Sequence, residues 1–353
     1  MAEETHGDLF VVRQSAVGFG AFALRDIPCF TLILTEEPIL TGEQVATAAK
    51  LHEDESHQCQ ADDIKYLTET CKLSTENMDR LWQMHDQYIG NDGRGEKRLW
   101  GIIKSNAFYS TDKQFAPGVY PTAARLNHSC SPNVGYDFSG WTMRMYTSRD
   151  IKAGEELSDC YSDVVYHNAI TERGVFLKMR YGFDCACRAC NITDDDRRMA
   201  SAERRERLKE IAIGLSEKLG AHFLYSAKFD DDVQNVIDTF CGLLDENDEG
   251  NANAITLEST HHRPLAYLNQ ANIKPNRIDL DSLMEYIELS REEGLLHDAV
   301  SLFELTYDVA RYLGEIDCIR EFGLGDTCLK LLEVSKGEKH RLTRKFRTKM
   351  SKP

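Results

Sequence analysis

At 353 residues and 42% apolar content, the chain is long enough for two or three domains and a buried core. Its net charge of −16 argues against non-specific nucleic-acid binding, which needs a basic surface, so no direct nucleic-acid contact is expected. No apolar run approaches the roughly 18 residues of a membrane span, and the acidic start MAEETHGDLF lacks the layout of a signal peptide; a soluble, cytoplasmic or nuclear protein is expected.

The first elements read as β: Leu9-Phe10-Val11-Val12 and Phe30-Thr31-Leu32-Ile33-Leu34, with Gly18-Phe19-Gly20 turning between them. From Gln44 to Tyr88 apolar residues recur three and four apart, as in helices, and residues 90–95 mark a Gly-rich loop. Leu99 to Tyr161 alternates helix, turn and short strands, among them Thr142–Tyr146, and residues 162–180 read as helix. A Cys-rich segment follows and ends at Asp194-Asp195-Asp196. Beyond Arg197 the pattern is almost wholly helical, with breaks near 245–253 and 272–281 and a helix hairpin over Leu283–Gly314 about Gly294. Plain helix packing accounts for that hairpin better than a repeat array. The fold class is α+β.

The charge is uneven. Residues 339–353 hold seven Lys or Arg and no acid, which leaves residues 1–338 at −23. An acidic body steers basic substrates toward it, although solubility alone would also explain it. The basic tail reads either as a nuclear-entry signal or as a frayed, solvated end.

Eleven cysteines without a secretory signal argue against a disulfide framework. Cys185, Cys187 and Cys190 have a spacing that can wrap one zinc ion, which wants four ligands; the bland alternative is free cysteines in a turn. Gly18-Phe19-Gly20 with Ala23 also fits a dinucleotide fingerprint. That fingerprint requires a helix next, and Pro28 followed by a β-branched run excludes it.

Three strings come in order: Arg125-Leu126-Asn127-His128-Ser129-Cys130-Ser131-Pro132-Asn133, then Gly154-Glu155-Glu156-Leu157 with Cys160-Tyr161, then the three cysteines. Together they resemble the SET domain, a methyl-transferring fold, and most closely the SMYD group. The MYND zinc finger usual in that group is missing: His57, Cys59 and Cys71 stand in its region and are too few to form it. The resemblance implies a β-rich SET domain in two parts (1–43 and 99–180) around a helical insert (44–98), a zinc-bound post-SET segment (181–196) and an all-α C-terminal domain (197–353).

The resemblance also implies roles. S-adenosylmethionine would be held by Gly18, Phe19, Gly20, Asn106, Asn127, His128, Tyr181 and Phe183. Glycine at positions 18 and 20 would let the backbone approach the cofactor where a side chain would clash. Phe108, Tyr181 and Phe183 would line the acceptor channel as an aromatic sleeve. Cys130 would be the fourth zinc ligand beside Cys185, Cys187 and Cys190. Tyr161 would aim its neutral hydroxyl at the methyl in flight.

Two departures from the family pattern stand out: Phe19, where many relatives have Asn, and Ala124, where many have Ser. The expected function is S-adenosylmethionine-dependent methylation of a protein lysine. The alternatives are O-methylation of a small-molecule carboxylate and a catalytically silent scaffold that binds protein partners. The acceptor, the number of methyls and the oligomeric state are left open.

Overall fold

The structure is a computed structural model that describes residues 4–15, 18–53, 59–89, 95–108, 118–162, 166–219, 274–296 and 299–351. The chain opens with β1 (Glu4–His6), β2 (Phe10–Ser15), β3 (Gly18–Ala23) and β4 (Leu32–Glu36). Gly18-Phe19-Gly20 does not turn the chain as expected; it opens β3 and pairs with Ser15, Gln14 and Arg13 of β2. Phe10, Val12, Ala21 and Ala23 all bury in one core, and that alternation carries the ladder down to Gly18.

The expected helical insert holds α1 (Gly42–Glu53), α2 (Gln60–Lys65) continued by a π turn at Tyr66–Thr70, and α3 (Thr75–Trp82). Ser74 starts α3 by accepting from the Asn77 N–H at 3.2 Å. Leu67, Leu81, Ile102 and Val119 form its core. Cys59 lies exposed beside Asp62, and Cys71 packs at the edge of this core; among the described residues neither joins a metal-binding group. His57, residues 90–94 of the Gly-rich loop and the break near 245–253 lie outside the described residues.

After α4 (Leu99–Asn106) come β5 (Ala107–Phe108), β6 (Gly118–Val119), β7 (Asn127–His128), β8 (Val134–Ser139), β9 (Thr142–Thr147) and β10 (Glu156–Asp159). One sheet runs β1-β2-β3-β10-β7, a second β4-β9-β8 and a third β5-β6. Within the first, β7 and β10 are parallel, with Ser158 opposite Asn127 and Asp159 opposite His128. Phe10, Ile27, Leu126, Val134, Met143 and Leu157 fill the core of this region, each contributing about 1.5–3 kcal/mol by burial.

Helix α5 (Ile170–Tyr181) is shorter than expected and stops at Gly182, which takes a left-handed φ of 77°. The C-terminal helices are α6 (Asp195–Leu219), α7 (Arg277–Glu293), α8 (Ala299–Leu313), α9 (Ile316–Glu321), α10 (Leu324–Ser335) and α11 (Arg341–Met350). The break expected near 272–281 ends at Asn276. Asn276 and Asp279 cap each other's backbone N–H groups, so the helix begins at Arg277. The basic tail is not a frayed end: α11 buries Thr343 and Phe346, and Phe346 is only 2% exposed.

The helical region docks on the second sheet. Tyr146 of β9 buries in the helical core, and Arg144 donates to the Val334 carbonyl of α10 at 2.9 Å. Lys336 pairs with Asp137 and donates to the Phe138 carbonyl of β8. No helix among the described residues is long and apolar enough to cross a membrane.

Candidate active site

The Asn127–Asn133 string wraps around β10, and the hydrogen bonds explain why those residue types are needed. Ser129 N–H donates to the Asp159 carbonyl at 2.8 Å, and Asn133 N–H donates to the Ser158 carbonyl at 3.1 Å. The Asn133 side chain spans the same strand, accepting from Ser158 N–H at 2.7 Å and donating to the Glu156 carbonyl at 2.8 Å. The chain thus crosses itself, with every turn secured to β10.

Asn127 tethers this crossing to the glycine strand. Its Nδ2 donates to the Phe19 carbonyl at 3.0 Å and to Glu156 Oε1 at 2.7 Å. Gly20 is required here, because a Cβ would lie 2.3 Å from Glu156 Oε1 and 3.1 Å from Asn127 Nδ2. These two side chains thus favour glycine at position 20 independently of the cofactor approach that the resemblance implies.

His128 is held from both sides: Nδ1 accepts from Tyr161 N–H at 3.1 Å, and Nε2 lies 3.2 Å from Cys130 Sγ. Burial pushes the imidazole down to about 4, so at neutral pH it carries no charge. Tyr161 donates its hydroxyl proton to the Leu126 carbonyl at 2.9 Å, and its own carbonyl accepts from the Tyr181 hydroxyl at 2.8 Å. Burial first, then the charges of Asp159 and Glu156, raise the phenol above its ordinary range and keep it protonated. With its proton committed to Leu126, the oxygen's lone pairs are the part it can direct elsewhere.

Tyr161, Tyr181, Phe183 and His128 form one aromatic group. The centroid separations are 5.3 Å for Tyr161–Tyr181, 6.2 Å for Tyr161–Phe183 and 5.7 Å for His128–Phe183. One cation borders it, Arg180, 5.7 Å from the Tyr181 centroid; Arg125 lies 5.6 Å from the ring of Phe19, outside this group.

Two predicted residues stand apart. Asn106 ends α4 and donates both amide protons to backbone, to the His85 and Ile102 carbonyls at 2.7 Å each, leaving its Oδ1 to offer. Phe108 packs edge-on to Tyr136 at 5.3 Å and near Tyr120 at 6.2 Å, in a second aromatic group that includes Phe138. The i, i+2 spacing of Tyr136 and Phe138 on a strand was the signal for this group, which sequence reasoning missed.

Among the described residues, one cluster of side chains could hold a metal: Cys130, Cys185, Cys187 and Cys190, whose sulfurs all lie within 4.8 Å of one another. Cys130 Sγ is 3.9 Å from Cys185 Sγ and 3.6 Å from Cys190 Sγ. A tetrahedron with zinc–sulfur bonds of about 2.3 Å puts sulfurs about 3.8 Å apart, so the four residues fit a structural zinc. Cys130 N–H also points at Cys187 Sγ at 3.3 Å, the kind of donor a thiolate accepts. Hydrogen bonds from the other sulfurs, Cys130 first, hold the Cys187 thiol far below its ordinary range.

Residues 18–162 match the family model of the SET domain. A SET-domain protein from Acanthamoeba polyphaga mimivirus is 29% identical over 204 residues, covering 50% of this chain and 75% of its own length. The histone-lysine N-methyltransferase set5 of Schizosaccharomyces pombe is 30% identical over 196 residues, covering 54% of this chain and 53% of its own. Residues 18–162 thus carry a SET domain. The chain also resembles the SMYD group: the histone-lysine N-methyltransferase SMYD3 of Mus musculus is 37% identical over 108 residues, 30% of this chain and 24% of that protein. The alignments thus span about half of the yeast relative and a quarter of the mouse one.

Proposed function

We propose that this protein transfers a methyl group from S-adenosylmethionine to the side-chain amine of a protein lysine. One observation carries this reading. The neutral phenol of Tyr161 spends its proton on the Leu126 carbonyl beside the paired strands β7 and β10, inside the aromatic group of His128, Tyr181 and Phe183. When bound, the cofactor supplies an electrophilic methyl on a positively charged sulfur. The amine forms the new C–N bond while the C–S bond breaks and sulfur keeps the electron pair; the proton leaves to solvent.

The protein's part is alignment and electrostatics. The Tyr161 oxygen offers lone pairs to a partly positive carbon. Tyr181, fixed through its own hydroxyl, and Phe183 offer ring faces to a long alkyl-ammonium chain. A lysine, with an ordinary pKa of about 10.4, must lose its proton before attack, and apolar aromatic walls favour the uncharged amine. The four cysteines would hold zinc structurally, with no position left open for a reactant. The names of the yeast and mouse relatives support the lysine reading.

Arg180 favours a second acceptor class, a small-molecule carboxylate, because it places a cation beside the aromatic group. The test uses purified protein and labelled S-adenosylmethionine, incubated separately with core histones, cell protein extract and a small-molecule acid extract, with Tyr161→Phe as control. Tyr161-dependent label on protein lysine is expected, with a rate that climbs with pH as the amine deprotonates. Label confined to the small-molecule fraction, with a rate flat in pH, would move the reaction to carboxylate methylation. No cofactor binding at all would leave a scaffold.

A further inference from the structure

A zinc ion with four thiolate ligands carries two net negative charges, and this one would sit in a buried place: Cys130 is fully buried and the other three cysteines are partly so. Buried charge has to be matched nearby. Two arginines that the methyl-transfer reading does not use face the cluster, each 1% exposed.

Arg173 of α5 donates from Nη1 to the Asn168 carbonyl at 2.6 Å and from Nη2 to the Ala189 carbonyl at 3.0 Å, and Nη2 reaches Cys190 Sγ at 3.7 Å. Its Nε is buried without a hydrogen-bond partner, and its hydrogen bonds go to two carbonyls and to Cys190 Sγ. Among the described residues, the negative groups it faces are the sulfurs of the cluster. If all four sulfurs were neutral thiols, Arg173 would be a buried, uncompensated cation.

Arg205 of α6 reaches the Cys130 loop. It donates to the Cys130 carbonyl at 2.9 Å, to the Tyr166 carbonyl at 2.6 Å and to Glu293 of α7 at 3.0 Å. Glu293 is 4% exposed at its side chain and also accepts from Arg204 at 2.7 Å and Ser201 at 2.8 Å. Arg173, Arg205 and Arg204 thus set positive charges beside the zinc-thiolate dianion and Glu293, with Arg204 also reaching Glu292 at 3.4 Å. The α7 end is pressed against the same loop: Ser131 Oγ donates to the Glu293 carbonyl at 2.6 Å and accepts from Arg188 at 2.7 Å.

We propose that Arg173 and Arg205 are the counter-cations of the four-cysteine centre, so that zinc is held with full affinity only while the C-terminal helices α6 and α7 are docked. This rests on reading the cysteines as a zinc centre. Zinc and the helical region then stabilise each other, and the loop that carries Asn127 and His128 is set by both.

The test uses the full chain loaded with Cd2+, whose sulfur charge-transfer absorption reports the intact centre, and chelator competition for affinity. Arg173→Met and Arg205→Met are each expected to weaken metal binding on the order of 10- to 100-fold, the usual effect of losing an outer-shell partner. Arg173→Lys restores most of the loss, and Arg207→Met, at an exposed site paired with Glu285, changes nothing. A folded Arg173→Met variant with wild-type affinity overturns the proposal.

A second measurement needs no variant. In wild-type protein under rising denaturant, hydrogen-exchange protection in residues 195–219 and 277–293 should vanish together with the Cd2+–thiolate band. Helices that open while the band persists would refute the coupling. Wild-type protein with no zinc by elemental analysis and no Cd2+–thiolate band would instead refute the zinc centre itself, a separate result.

Discussion

In the proposed reaction Tyr161 would act through where its proton goes. A phenol that donates to the Leu126 carbonyl is oriented without being ionised, and Asp159 and Glu156 nearby oppose ionisation further. Tyr161→Phe is expected to lower turnover on the order of 10²-fold, the scale of losing one oriented dipole, with cofactor affinity by calorimetry close to wild type. Unchanged turnover would remove Tyr161 from the mechanism. Gly294 is the other residue whose identity is forced, by a φ of 72° and by a Cβ that would lie 2.3 Å from Ser131 Oγ. Gly294→Ala should cost about 1–3 kcal/mol in chemical denaturation, from backbone strain with the clash in addition. Tyr161 and Asn127 were readable in the sequence because each belongs to a string of fixed spacing. A further reason for glycine at position 20 was not readable, since Glu156 and Asn127 reach it only through the pairing of three strands.

At the scale of elements, α11 shows how a basic segment becomes part of a fold. Lys349 forms an ion pair with buried Asp308 of α8 and lies over the rings of Tyr307 and Phe346. Arg311 caps the helix end by donating to the Lys349 carbonyl at 2.7 Å, and Arg347 pairs with Glu333 at 2.6 Å. Burial outweighs Lys349 and pushes Asp308 up to about 6 from an ordinary 3.8. The folded state therefore binds this proton at higher pH than the unfolded state does. Its stabilising contribution is full below about pH 4 and is lost as pH rises through about 6. Asp308→Asn should thus gain stability relative to wild type between pH 4 and pH 6.5, read from paired thermal melts; a constant difference across that range would contradict the shift. Composition alone suggested solvation for this tail because seven cations dominate it, whereas the position of Phe346 on one helix face decides its burial.

For the whole molecule, charge and docking matter most. With −23 over residues 1–338, and with Arg347 and Lys349 of the tail engaged in ion pairs, the body presents a negative field to an approaching basic protein. Raising ionic strength from about 0.05 to 0.5 M should increase KM for a basic protein acceptor severalfold while leaving kcat unchanged, because screening acts on encounter. A salt-independent KM would make the charge a matter of solubility alone. The helical region meets the SET region at two places, α10 on β8 and β9, and α6 with α7 on the Cys130 loop. The second of these links it to the candidate site.

By itself the sequence determined the α+β class, the strings around Asn127, Tyr161 and Cys185–Cys190, and the helical character of the C-terminal region. Each of these is written in spacing over a few neighbouring residues. Tertiary structure alone decided that Phe108 joins Tyr136 rather than Tyr161, and that Arg173, Arg205 and Glu293 gather around the cysteines. Arg205 stands among exposed arginines in its helix and reaches Cys130 across 75 residues of chain. Which of several identical side chains is buried depends on what folds over it, and no local pattern encodes that.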